Sequence, residues 1–199
     1  MKKLLIATGN KGKFPEMKVK LDGLDLEVLN LRDVGIPPGI EVEEPAMTFE
    51  GNAIIKAIMW AKKTGLMTMA DDSGLEIDAL GGRPGVYSAR YVEGTDEDRY
   101  KKILEEMKSI PEERRGAQFT CTIAIYDPAT DKVRTCNGIC RGKIISEPRG
   151  NNGFGYDPVF FYDEMKKTIA EMALEEKNEI SHRGKALEKA KEIIREEFL

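Results

Sequence analysis

The chain opens on a short apolar run, Lys2 to Ala7, which meets TGNKGK at 8–13 and then a helical pattern through Phe14, Met17 and Leu21 with Pro15 in its first turn. The pattern predicts strand, loop and helix. Leu24 to Leu31 reads as a second strand, followed by an irregular segment around Pro37, Pro38 and Gly39 and by EVEEPAM at 41–47. From Thr48 the apolar positions Phe49, Ala53, Ile54, Ala57, Ile58 and Ala61 recur at helical spacing, and Gly65 is the expected stop. Met67 to Ala70 predicts a short buried strand that ends at DDSG, 71–74, with Leu75 to Leu80 alternating as a further strand. GGRPGVYSARY, 81–91, reads as a long glycine-rich loop.

Thr95 to Lys108 predicts a surface helix with Ile103, Leu104 and Met107 inward and Pro111 beyond its end. A hairpin follows, in which Phe119, Cys121, Ile123 and Ile125 alternate with Gln118, Thr120, Thr122 and Ala124, and DPATD turns the chain into a strand from Val133 to Ile139. The glycine loop GNNGFGYDP, 150–158, opens onto a strand from Val159 to Tyr162, and a last helix from Ser181 carries Ala186, Leu187, Ala190, Ile193 and Ile194 on one stripe. Helices and strands interleave without strict βαβ regularity, so the expected fold class is α/β with a mixed sheet. At 199 residues the chain fits one domain, 1–199, with room for two lobes.

Composition narrows the function classes. Hydrophobic residues make up 41% and charged residues 33%, enough apolar material for a core and too much charge for a disulfide-stapled miniature. Thirty-one basic against thirty-five acidic side chains leave a net charge of -4, the wrong sign for holding a nucleic acid by counterion release. A small phosphorylated ligand stays open, because a few lysines converging on one groove make a local positive field. Five apolar residues before Thr8 are too few for a signal-peptide core, and the longest apolar stretches fall short of the ~20 residues a bilayer needs, so a cytoplasmic protein without a membrane partner is expected. Cys121, Cys136 and Cys140 form an odd set, and with His182 the single histidine, free thiols are expected rather than a zinc site.

Four segments carry candidate chemistry. TGNKGK places Thr8, Gly9, Asn10 and Lys13 between a strand and a helix N-terminus, where exposed N–H groups favour an anion; a plain capped turn explains it equally. Asp71 and Asp72 close a buried run, where neighbouring carboxylates are costly unless a cation or donors share the site. With Glu43 and Glu44 they offer hard oxygen ligands suited to magnesium, although a solvated turn would also accommodate them. GNNGFGYDP sets Phe154, Tyr156 and Asp157 on a loop suited to stacking a flat heterocycle or, alternatively, to tucking its aromatics into the core. ISHRG starts the last helix, with Ser181 as the expected N-cap and His182 and Arg183 as a polar cluster aimed outward.

Taken in order, TGNKGKFPEM, TFEGNAIIKA, ADDSGLEIDALGGRPGVYSARY, GFGYDPVFF and ISHRGKAL resemble the inosine/xanthosine triphosphate pyrophosphatase family, from residue 4 to about 190. The resemblance implies an elongated α/β fold whose long mixed sheet links two lobes with an active-site groove between them. It also implies a homodimer, magnesium dependence, and hydrolysis of ITP, dITP, XTP and dXTP to the monophosphate and pyrophosphate, which clears them from the pool used for DNA and RNA. Residue by residue, it implies a phosphate loop at Thr8, Gly9, Asn10, Lys11, Gly12 and Lys13, a triphosphate contact at Lys56, and a metal ligand at Glu44. The proton-accepting aspartate falls on Asp72, which also contacts magnesium, with Asp71 beside it as a further candidate ligand and Ser73 touching the substrate. Base contacts fall on Phe154, Gly155, Tyr156 and Asp157, and further nucleotide contacts on Lys177, His182 and Arg183. One departure is EEPAMTF: the family more often has threonine or aspartate and then glycine after the second glutamate, so Pro45 and Ala46 leave the choice between Glu43 and Glu44 open.

The implied mechanism is attack of a water, deprotonated at Asp72, on the α-phosphorus, with magnesium and Lys13 offsetting charge on the departing pyrophosphate. Asp157 is expected to accept from the purine N1–H, and His182 or Arg183 to donate to the 6-keto oxygen. Adenine presents the reverse pair. Two rivals are a pyrophosphatase for modified pyrimidine triphosphates and a nucleotide sensor without catalysis.

Overall fold

The computed structural model describes residues 1–10, 12–40 and 42–199. Lys11, one of the expected phosphate-loop residues, lies outside the described residues. In chain order the elements are β1 (Lys2–Ile6), α1 (Lys13–Lys20), β2 (Leu26–Asn30), α2 (Phe49–Thr64), β3 (Met67–Ile77), α3 (Asp96–Glu106), β4 (Gly116–Asp127), β5 (Lys132–Ile144), β6 (Phe160–Tyr162), β7 (Lys167–Thr168), α4 (Leu174–Ile180) and α5 (His182–Glu197). The strands follow the order β2-β1-β3-β4-β5-β6-β7. β1 pairs parallel with β2 and β3, whereas β6 pairs antiparallel with β5 and β7, so the sheet is mixed, as expected.

The chain divides into two compact units. The first holds residues 1–72, 121–138 and 182–199. Its strands obey the two-residue period of a pleated strand, and the alternation sorts side chains into two layers. Leu4, Ile6, Met67, Met69, Cys121, Ile123 and Ile125 pack against Met17 and Leu21 of α1 and Ala186, Leu187, Ala190 and Ile194 of α5. Leu5, Ala7, Ala70, Ala124 and Tyr126 pack against Ala53, Ala57, Trp60 and Ala61 of α2. Because both faces are covered, every residue of β4 from Cys121 to Asp127 is buried. α2 is bounded as its sequence predicts: Thr48 Oγ1 accepts from the Gly51 N–H, and Gly65, at φ +72, donates its N–H to Ala61 O.

The second unit holds residues 73–120 and 139–181. Its core gathers Leu75 and Ile77 of β3, Ile103 and Met107 at α3, Phe119 of β4, Ile144 of β5, Phe160 and Tyr162 of β6, and Tyr156 and Val159. α3 starts on a capping box in which Thr95 and Asp98 satisfy each other's backbone N–H.

Three expectations change. β3 does not end at DDSG: one strand of eleven residues runs from Met67 to Ile77 through both aspartates, and Asp78–Leu80 forms a single 3₁₀ turn after it. Buried carboxylates sustain a strand when donors meet them, which occurs here. α4 has no counterpart in the pattern analysis, since LEEKNEI offers apolar residues only at its two ends. His182 and Arg183 do not point outward; both are buried in the first turn of α5.

That burial depends on Gly138 of β5. A Cβ there would run into the carbonyl of His182 and the amide of Ala186, so the α5 backbone rests directly on the strand. Gly138→Ala is expected to lower stability by about 1–3 kcal/mol, the usual cost of overpacking, seen as a reduced urea midpoint at unchanged slope.

Candidate active site

The candidate residues form two groups, one in each unit. In the first, the turn after β1 is held by its own side chains: Thr8 Oγ1 accepts from the Asn10 N–H, and Asn10 Oδ1 accepts from the Gly12 N–H at 2.8 Å. These are the bonds of an Asx-type turn. A Cβ on Gly9 would meet no atom within 4 Å, so the glycine leaves open space beside the loop. Thr8, Gly9 and Asn10 line a cavity of about 280 Å³ together with Phe14, Leu31 and Ile36.

Pleating sends Asp71 and Asp72 to opposite faces of β3. Asp71 joins the α1 and α5 side. Its Oδ2 accepts from Lys13 Nζ at 2.8 Å and lies 3.7 Å from Arg183 Nε, and Arg183 Nη1 donates to Glu16 at 2.7 Å. Two acids and two bases thus share one buried cluster in which Asp71 is 2% exposed. Burial alone would raise the Asp71 carboxyl, but the positive charges of Lys13, Arg183 and Lys56 outweigh it and hold the group well below the usual carboxylate range.

Asp72 joins the α2 side. Its Oδ2 accepts from Asn52 Nδ2 at 3.1 Å, and its Oδ1 lies 3.6 Å from Lys56 Nζ, which also donates to Glu44 Oε1 at 2.5 Å. Burial pushes the Asp72 carboxyl above its ordinary value; Lys56 and Asn52 pull it back, and the Glu44 charge adds to the rise. For Lys56 burial works the other way, yet Asp71, Asp72 and Glu44 outweigh it and keep the ammonium above its ordinary value. Of the two glutamates left open by the sequence, Glu44 is brought to Lys56 while Glu43 is exposed. Asp71 does not join them.

Among the described residues no three His, Cys, Asp or Glu side chains converge as a metal cluster. Glu44 and Asp72 alone are a fitting donor set for magnesium, which takes one or two carboxylates and fills its shell with water and phosphate oxygens. Among the described residues no disulfide joins Cys121, Cys136 and Cys140, and burial pushes the Cys136 thiol up to about 11.

In the second unit Ser73 directly follows Asp72 and is partly exposed. The loop at 150–158 separates its two aromatics. Tyr156 is a core residue whose hydroxyl donates to Ser88 O at 2.8 Å, whereas Phe154 keeps a partly exposed ring. Asp157 is buried, and its Oδ2 accepts from the Phe154 N–H at 3.0 Å and from Lys177 Nζ at 2.9 Å. Lys177 lies over the Phe154 ring, 4.6 Å from its centroid, a cation–π contact that fixes the ring plane. Gly155 stands between the aromatics at φ +64, a left-handed turn that glycine adopts without strain.

Pattern reading missed Asn52 and Glu16. Asn52 donates to Asp72 and accepts from the Ala46 N–H, tying Asp72 to the segment that bears Glu44. The signal was an amide on the buried stripe of α2; for Glu16 it was a carboxylate beside Met17 on the buried stripe of α1.

A mixed sheet, a strand–loop–helix turn after its first strand and a pair of carboxylates around one buried ammonium define an α/β protein with a charged site in its first unit. The Ham1 family model matches residues 4–193, and the chain belongs to that family. It is 47% identical over 196 residues to a dITP/XTP pyrophosphatase of Bacillus licheniformis, covering 98% of each chain. It is 51% identical over 189 residues to a dITP/XTP pyrophosphatase of Geobacter sulfurreducens, covering 94% of each. The structure of a HAM1 protein from Coxiella burnetii superposes with a TM-score of 0.89 at 42% identity, covering 98% of this chain and 100% of the other.

The depressed Asp71 carboxyl has a stability consequence. A group whose folded pKa lies below its unfolded value of about 3.9 stabilises the fold fully above that pH and loses the effect as pH falls further. Asp71→Asn is therefore expected to cost about 3–5 kcal/mol at pH 7, the range for stripping one partner from a buried pair. The difference from wild type should shrink below about pH 4 in urea titrations; a constant difference would show that the charge is not its source.

Proposed function

We propose that this protein hydrolyses non-canonical purine nucleoside triphosphates, dITP, ITP and XTP, to the monophosphate and pyrophosphate. The observation that carries the reading is the meeting of Glu44 and Asp72 at the Lys56 ammonium. Family membership along almost the whole chain supports it, as does the dITP/XTP pyrophosphatase activity by which the relatives are named.

In this reading Asp72 accepts the proton of the attacking water. Its environment suits the role, since burial makes the carboxylate more basic than an exposed one and Asn52 fixes its orientation. Lys13 and Lys56 meet the triphosphate charge, the turn at Thr8, Gly9 and Asn10 borders the phosphates, and Ser73 adds a hydroxyl donor. Glu44 and Asp72 would hold magnesium, which supplies charge neutralisation at the phosphates and a more acidic water. Breaking the bond between the α-phosphorus and the bridging oxygen releases pyrophosphate while the water oxygen stays on the monophosphate.

Phe154 serves as the stacking face for the base. Asp157, already accepting from the Phe154 amide and from Lys177, is reassigned from reading N1–H to shaping the loop, and Lys177 holds the ring rather than the nucleotide. His182 and Arg183 keep the role the resemblance implies, at the 6-keto oxygen, with Arg183 oriented by Glu16. Among the described residues no helix is long and apolar enough to cross a membrane, and three cysteines without a disulfide fit a reducing compartment, so the proposed location is the cytoplasm.

Incubation with ITP, XTP, GTP and ATP plus magnesium should release pyrophosphate from the first two and little from the others. Release of single phosphate, or equal rates on ATP, would sink the reading. Asp72→Asn should lower kcat by about 100-fold or more with folding intact; wild-type turnover in that variant would remove Asp72 as the proton acceptor. The homodimer implied by the family is read by light scattering, where a monomer mass would remove it.

A further inference from the structure

The 150–158 loop has a feature that neither its own residues nor its core contacts explain. Two successive backbone amides, those of Phe154 and Gly155, each donate to a carboxylate. The Phe154 N–H goes to Asp157 within the loop, at 3.0 Å. The Gly155 N–H goes to Asp96 Oδ2 at 2.7 Å, from a residue 59 positions earlier in the chain.

Asp96 is the first residue of α3 and is itself held. Its Oδ1 accepts from Arg99 Nη1 at 2.7 Å, and Arg99 Nη2 donates to Gly94 O. Asp96, Tyr100, Phe154 and Gly155 line a common cavity of about 400 Å³, so the aspartate bridges an open gap instead of being carried by packing. The bond meets the chain at its most adjustable point, since Gly155 has a left-handed backbone and no side chain to anchor it. Rotation of the peptide between Phe154 and Gly155 would re-aim the Phe154 ring, which Lys177 meets by a cation–π contact.

We infer that Asp96 is a positioning residue for substrate recognition: by fixing the Gly155 amide it sets the plane that Phe154 offers to the base. This rests on the proposed function for its substrate but not for its geometry. Asp96 would act on binding, through the loop, and leave the chemistry at Asp72 unchanged.

The test compares Asp96→Ala with Asp96→Asn. Both remove the negative charge from the first turn of α3 and so weaken the helix alike. Alanine removes both side-chain oxygens, whereas asparagine keeps one, which accepts from the Gly155 N–H with its amide nitrogen turned to the side of Arg99, whose ion pair is lost in both variants. With ITP as substrate, Asp96→Ala should raise KM by about threefold to tenfold, the range for one lost hydrogen bond, with kcat within twofold of wild type. Asp96→Asn should restore KM to near the wild-type value. Amide hydrogen exchange over 150–158 reads the same clamp without any substrate: protection should fall in Asp96→Ala and return in Asp96→Asn. Wild-type KM and unchanged exchange in Asp96→Ala would overturn the inference, as would equal changes in both variants, which would place the effect in the helix charge. A wild-type enzyme inactive on ITP would instead strike the functional reading, with exchange still deciding the clamp.

Discussion

Everything in the first unit turns on how a pleated strand disposes of two adjacent buried carboxylates. Because β3 alternates, Asp71 and Asp72 face opposite layers, and each layer answers its charge differently. Moving an ion out of water costs several kcal/mol, while a counter-ion at about 4 Å returns about 4 kcal/mol at an effective dielectric of 20. One partner roughly breaks even. Asp71 has Lys13 and Arg183, whose charges hold it ionised; Asp72 has Lys56 at a longer distance and an acid, Glu44, on the same ammonium. Identical side chains one residue apart are thereby driven in opposite directions, one held as a fixed carboxylate and the other made more basic than an exposed carboxylate.

The second unit fixes its loop by carboxylates as well, but on the backbone. Tyr156 and Val159 root the 150–158 loop in the core, and the outer part, where Phe154 turns away, is held by Asp157 and Asp96 on consecutive amides. Gly153 follows from this arrangement: at φ +78, a Cβ there would collide with the Asp157 carboxylate. Gly150, by contrast, lets the loop lie directly against the Ala170 backbone, and Gly155 supplies a left-handed turn in open space.

Much of the fold was legible because its cues are local. The Thr48 cap, the α2 stripe and the Gly65 stop lie within one segment, as do the cap of α3 and the DPATD turn. The misreading of β3 has a physical cause: DDSG looks like a turn when its partners are unseen, and Lys13 lies 58 residues from Asp71. Arg183 looked outward for the same reason, since its partner Glu16 is 167 residues away. Residue types pointed to the chemistry, and the resemblance placed it, but neither could show which face each acid takes. The split between Asp71 and Asp72, and the burial of Asp157 against Lys177 and the Phe154 amide, needed three dimensions.

The distribution of charge gives the net value of -4 its meaning. The Asp71 cluster is balanced, with Glu16 and Asp71 against Lys13 and Arg183, so it projects little field. The Asp72 cluster is unbalanced, with two carboxylates against one ammonium. On its own that surplus would repel a triphosphate; in the proposed function a divalent cation held by the same carboxylates reverses the sign. Glu44 and Asp72 would hold that cation, and it would supply charge neutralisation to phosphate oxygens. Lys13 is tied to Asp71, so the unbalanced charge of these two clusters lies on the Asp72 side of β3.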